Sequence, residues 1–263
     1  MTPRFSLLLL TAASALLAQI NQMPAELEGV DVEEKLGAQV DGSLEFINES
    51  GRPVRLDSFL NQGRPVVLNF VYYECPMLCS RVLNGVTTSI REIPWTPGSE
   101  YELLTISISP RETFELAAAK KQGYLSKFDR PAPGWHFLAD HKDAAKNLAT
   151  QVGYGYKWDK SREMYAHASA LVLLTPQGKV ARYLYGIQFK AFDLRLGLTE
   201  ASEGKVAGGK MEKMLLWCYQ YDPNAKSYVM AARNIMRAGG AMTILVLGFS
   251  LVRLIRQDKE RHS

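Results

Sequence analysis

The segment Pro65-Val-Val-Leu-Asn-Phe-Val-Tyr72 constrains this chain more than any other, because its apolar residues are interrupted only by Asn69. A strand with one wet face alternates polar and apolar residues, whereas a run like this one has to be covered on both faces. It predicts a central, parallel strand.

The neighbouring segments can supply the covering layers. Ser43-Leu-Glu-Phe-Ile-Asn48 and Pro53-Val-Arg-Leu-Asp57 flank Glu49-Ser-Gly-Arg52, two alternating stretches around a turn, and predict a hairpin. Val82, Val86 and Ile90 then keep helical spacing up to Pro94. A strand is expected over 101–108, a helix over 111–127, a strand at 135–138 and a helix over 142–152. Two further strands, 168–175 and 180–186, flank Pro176-Gln-Gly-Lys179 and should pair as an antiparallel hairpin. This βαβα alternation predicts a three-layer α/β domain. From Phe192 to Tyr228 the pattern reads as a helix, a glycine-rich loop at 204–209 and a helix through Trp217.

A chain of 263 residues, 47% of them apolar, accommodates one filled core with appendages. At its start, Met1-Thr-Pro-Arg4 and an apolar stretch from Phe5 to Leu17 have the layout of a secretory signal, assigned to 1–18. Residues 19–39 read as an acidic arm, 40–203 as the α/β domain and 204–234 as an extension. The uncharged run 238–252 is bracketed by Arg237 and Arg253 and predicts a transmembrane helix over 235–255. The tail at 256–263 carries Arg256, Lys259 and Arg261, so the positive-inside rule places it in the cytoplasm and the main domain on the outer, periplasmic side of the cell membrane. A net charge of +4 without a block of like charge gives no argument for nucleic acid as a partner.

Only three cysteines are present, Cys75, Cys79 and Cys218, too few for a disulfide framework. Cys75-Pro-Met-Leu-Cys79 follows the central strand, at the sheet end where α/β domains collect functional groups. On a regular helix i and i+4 carry Cβ atoms ~5–6 Å apart, beyond the ~3.8 Å of a disulfide, which favours a metal bridged between two sulfurs without excluding redox use. His136, His141, His167 and His262 are the available imidazoles. His167 precedes an apolar strand, and two thiolates with one imidazole suit copper.

Taken together, the apolar strand at Val66 to Tyr72, Cys75-x3-Cys79, the strand Leu103 to Pro110 ending in Ser-x-x-Pro, and His167 ahead of a strand and a Pro-x-Gly turn resemble the Sco/SenC family. The resemblance covers about 40–186. It implies a thioredoxin-like fold with the N-terminal hairpin added, one copper ion on Cys75, Cys79 and His167, and delivery of that copper to the copper-site subunit of cytochrome c oxidase. The alternative is a thiol-disulfide oxidoreductase in which Cys75 attacks and Cys79 resolves, with the same subunit's cysteines as substrate. The chain departs from the family at Ser80, where Pro is frequent, and at Ser109, where Asp is frequent. The stretch around Trp217-Cys218, followed by the apolar run, resembles a subgroup tethered at its C-terminus.

Overall fold

A computed structural model of the chain describes residues 29–74, 79–207, 219–222, 227–230, 240, 242–250 and 253. The expected signal segment and the helix through Trp217 lie outside the described residues.

The predicted hairpin is present as β1 (Glu45–Ile47) and β2 (Pro53–Arg55), paired antiparallel with Phe46 opposite Val54. The apolar run forms β3 (Val66–Val71), buried at every position. Next come α1 (Cys79–Glu92), β4 (Glu102–Ser107), α2 (Phe114–Leu125), β5 (Trp135–Leu138) and α3 (Ala144–Gln151). A short ribbon, β6 (Tyr156–Asp159) with β7 (Met164–His167), precedes β8 (Ala170–Leu174), β9 (Val180–Tyr185) and α4 (Ala191–Ser202). The five-stranded sheet has the order β5-β4-β3-β8-β9. β3 is therefore central, parallel to β4 and antiparallel to β8, and β8 and β9 form the expected antiparallel hairpin.

The unbroken hydrophobicity of β3 follows from its two sets of neighbours. Val66, Leu68 and Phe70 join one core with Phe46 of the hairpin and Leu148 of α3. Val67 and Val71 join a second core with Val82, Val86 and Ile90 of α1, Tyr124 of α2 and Leu198 of α4. Full burial of such a side chain contributes about 1.5–3 kcal/mol, so both faces of the sheet drive folding. The result is a mixed α/β fold in three layers.

Asn69 breaks the apolar row. It is fully buried, and among the described residues neither oxygen nor nitrogen of its carboxamide has a hydrogen-bond partner. Burying an unpaired amide costs about 1–3 kcal/mol. Asn69→Leu, which keeps the branched shape of the side chain without its polar atoms, is therefore expected to raise stability by about 1 kcal/mol in urea unfolding. A loss of stability would overturn this expectation.

The N-terminal arm packs on the domain from Val30 onward, ten residues ahead of the expected domain start. Glu33 N–H donates to the Gly153 carbonyl at 2.9 Å, and Gly155 N–H to that of Asp31 at 2.9 Å. A Cβ at Gly153 would stand 1.8 Å from the Glu33 oxygen, so only glycine admits the arm there. Further along, Gly37 N–H donates to the Val180 carbonyl and Val180 N–H to that of Ala38, tying the arm to the start of β9. At the other margin Ile47 and Ala139 exchange backbone hydrogen bonds of 3.1 and 2.8 Å just beyond β5.

Residues 207–263 form a separate unit. It contains an antiparallel pair absent from the sequence reading, β10 (Tyr219–Asp222) and β11 (Ser227–Met230). Among the described residues no helix is long and apolar enough to cross a membrane. Of the span expected at 235–255, Gly240, 242–250 and Arg253 are described; they are helical, and Ile244, Leu245, Leu247 and Phe249 are exposed.

Candidate metal centre

Cys75 and the side chain of Cys79 lie outside the described residues, so the centre is defined by the groups around them. β3 delivers Tyr72, Tyr73 and Glu74 directly to Cys75, and Cys79 is the first residue assigned to α1. Tyr73 is buried, and its hydroxyl lies 2.9 Å from the Thr105 carbonyl and 3.0 Å from that of Leu138, which ties the end of β3 to β4 and β5. Burial, then the charges of Glu112 and Glu49, push its phenol well above the usual range.

A carboxylate fixes the backbone that enters the cysteine segment. Glu112 is buried; its Oε2 accepts from Tyr73 N–H at 2.9 Å and its Oε1 from Glu74 N–H at 2.7 Å. Ser107 Oγ donates to the same carboxylate. Burial raises the Glu112 pKa, against the pull of these three donors. The sequence reading looked for an acid at 109 and missed this one. Ser109 is buried instead, its N–H donating to Ser107 Oγ at 3.1 Å. The signal available was Ser107-Ile-Ser-Pro-Arg-Glu112, an acid just past a strand end.

His167 is the last residue of β7. The antiparallel pairing of β3 with β8 ends at Asn69 opposite Leu171, and His167 lies four residues before Leu171, on the side of the carboxyl end of β3. Side-chain contacts agree with that placement. The rings of Tyr72 and Tyr165 meet edge-on with centroids 5.5 Å apart, and Tyr154 Oη stands 3.4 Å from the Phe70 carbonyl and 3.0 Å from His167 Nδ1. His167 thus occupies the carboxyl end of β3, the end from which the chain leaves toward Cys75. Burial lowers its pKa, opposed by the bond to the Ala168 carbonyl, and holds the imidazole in the neutral form that ligates metals.

The other histidines are engaged elsewhere. His136 Nε2 lies 3.3 Å from Glu102, which also pairs with Arg64 at 2.6 Å, near the start of β4. His141 Nε2 is 3.3 Å from Glu45. His262 and Cys218 are outside the described residues. Among the described residues alone, no group of three His, Cys, Asp or Glu side chains could hold a metal, so any centre here requires the cysteines.

Half-buried aromatic residues surround His167. The Tyr165 ring meets Trp158 at 5.0 Å and Tyr156 at 6.0 Å, and the Arg111 guanidinium lies over Trp158 at 5.0 Å. An imidazole at the sheet end from which the chain leaves toward a Cys-x3-Cys segment would, together with those thiols, make a soft donor set, which suits a thiophilic ion such as copper better than a hard one.

Comparison with known proteins bears on the same region. The SCO1/SenC family model matches residues 32–191. No curated protein matches the sequence. Solved structures do. A protein of Aquifex aeolicus, 20% identical over 67% of this chain and 98% of its own, superposes with a TM-score of 0.58. BsSco, a member of the Sco family of cytochrome c oxidase assembly proteins for which a disulfide switch is described, is 18% identical over 65% and 98%, with a TM-score of 0.52. ScoI of Arabidopsis thaliana, solved with copper bound, is 20% identical over 61% and 96%, with a TM-score of 0.49.

Proposed function

This chain belongs to the SCO1/SenC family, and from that premise we propose that it carries one copper ion on Cys75, Cys79 and His167 and passes it to the copper-site subunit of cytochrome c oxidase during assembly. Copper is cargo in this reading, taken up and released by ligand exchange, and no bond-making step is required of the protein. The observation that carries it is the position of His167, half-buried and held by Tyr154 and Ala168 at the sheet end from which β3 leads to the two cysteines. Glu112 supports it by fixing the two residues ahead of Cys75.

The sequence extends the proposal to location. An N-terminal signal exports the domain, the apolar run at 235–255 tethers it to the membrane, and the basic tail stays in the cytoplasm. The copper centre then faces the compartment outside the cytoplasmic membrane.

Metal analysis of the detergent-solubilised full chain tests the centre. About one copper per chain is expected; His167→Ala should weaken binding about 10–100-fold while both thiols stay reactive, and Cys75→Ser or Cys79→Ser should remove tight binding. Unchanged affinity in His167→Ala would sink the three-donor centre. If that variant also exchanged rapidly with the disulfide of an oxidase copper-site subunit, the oxidoreductase reading would replace it.

A further inference from the structure

Tyr154 belongs to no motif in the sequence, yet its hydroxyl lies against the proposed imidazole ligand. The residue is buried at 4% exposure, and its ring packs on Phe70 of β3 with centroids 4.7 Å apart. Its backbone is fixed on both sides, by the N–H donated to Ala149 at 2.8 Å and by an antiparallel bridge to Val32 of the arm. From this rigid base the hydroxyl reaches His167 Nδ1 at 3.0 Å and the carbonyls of Phe70 and Ala168.

His167 Nδ1 is also 2.7 Å from the Ala168 carbonyl oxygen. A carbonyl oxygen can only accept, so a nitrogen this close to it has to carry the hydrogen. The neutral ring is then the Nδ1–H tautomer, and its lone pair resides on Nε2. Tyr154 is consistent with the same assignment. Its oxygen accepts from Nδ1–H while its single hydrogen goes to a carbonyl. The opposite tautomer would set two lone pairs against each other across 2.7 Å.

We propose that Tyr154 is a positioning residue for the metal centre, holding the His167 ring in one orientation, in the Nδ1–H tautomer that the Ala168 carbonyl requires, so that Nε2 is the nitrogen presented to copper. This inference rests on the reading of His167 as a ligand. Metal-binding histidines are commonly oriented through their second nitrogen, and loss of such a partner costs about 10–100-fold in affinity. Here the orienting group is a phenol whose ring packs on Phe70 of β3, the strand that precedes the cysteine segment.

The test compares Tyr154→Phe with wild type and with Tyr183→Phe in the full chain. Phenylalanine keeps the ring contact with Phe70 and deletes only the hydroxyl. Tyr183 is the control, since its buried hydroxyl bonds to Val152 and to Lys35 N–H and touches no part of the centre. Copper affinity, measured by competition with a chelator, should fall about tenfold in Tyr154→Phe and stay unchanged in Tyr183→Phe. Nitrogen-15 NMR of metal-free wild type should show the proton of His167 on Nδ1. A proton on Nε2 overturns the proposal even if the variant fails to fold. So does wild-type affinity in Tyr154→Phe when His167→Ala still lowers it, an outcome that leaves the centre itself standing. If neither variant changes affinity, the reading of His167 as a ligand falls with it.

Discussion

Glu112→Ala is expected to lower the stability of the domain by roughly 3 kcal/mol, since three donors aimed at one carboxylate each lose a partner worth about 1–3 kcal/mol when buried. For a protein of this size that corresponds to about 10 °C in the thermal midpoint. Two of the three donors are the N–H groups of Tyr73 and Glu74, so the damage falls on the residues that lead into Cys75. The thiols should therefore alkylate faster in this variant, while the rest of the sheet keeps its protection against hydrogen exchange. Glu112→Gln separates charge from shape, because its NH2 group would face donors where an acceptor is needed. The pH dependence has a definite sign. Burial places the carboxyl above its ordinary value of 4.5 in the folded protein. Its contribution is then complete below that ordinary value and is lost as pH rises through the folded-state value. The stability advantage of wild type over Glu112→Gln should shrink with rising pH across this window. A widening gap would show that the three donors outweigh burial.

Gly85→Ala should cost about 2–4 kcal/mol in urea unfolding, although alanine is the better helix former by about 1 kcal/mol. Gly85 lies in α1, and a Cβ there would stand 2.1 Å from the Ile187 carbonyl oxygen and 3.0 Å from its carbon. Both are backbone atoms, so relief requires α1 to move away from the segment after β9. Ser89, one turn on, fixes the same approach by donating Oγ–H to the Phe189 carbonyl. Because α1 is the helix that carries Cys79, its displacement should also weaken copper binding. A variant as stable as wild type would mean that the 187–189 segment yields at little cost.

How much of this was legible in the sequence depended on where each element finds its partners. β3 was readable because covering on both faces leaves a continuous apolar run, and β1 with β2, and β8 with β9, because a turn signal separates alternating stretches. The β6–β7 ribbon was not. Its residues are half-buried without clean alternation, and its turn lacks the usual glycine. The carboxylate of Asp159 makes that turn instead, accepting from Ser161 N–H at 2.8 Å and Ser161 Oγ at 2.7 Å, while Glu163 takes a φ of +49°. The arm was expected, but its docking on the domain was not, because that docking is made largely by backbone hydrogen bonds, which leave little trace in side-chain pattern. In the candidate centre, the dithiol motif and His167 stood out by residue type. Glu112 and Tyr154 did not, because their importance comes from backbone 38 and 39 residues away in one case and from an imidazole 13 residues away in the other.

The arm at the start of β9 and the Ile47–Ala139 exchange beyond β5 also bear on how this molecule can be approached. Each outer strand is met at one end by the chain's own backbone, β9 at Val180 and β5 just beyond Leu138, which shortens the free edge open to a foreign strand or to side-by-side stacking. A visiting polypeptide would then be met mainly by side chains, such as those of the half-buried aromatic ribbon β6–β7 that carries His167.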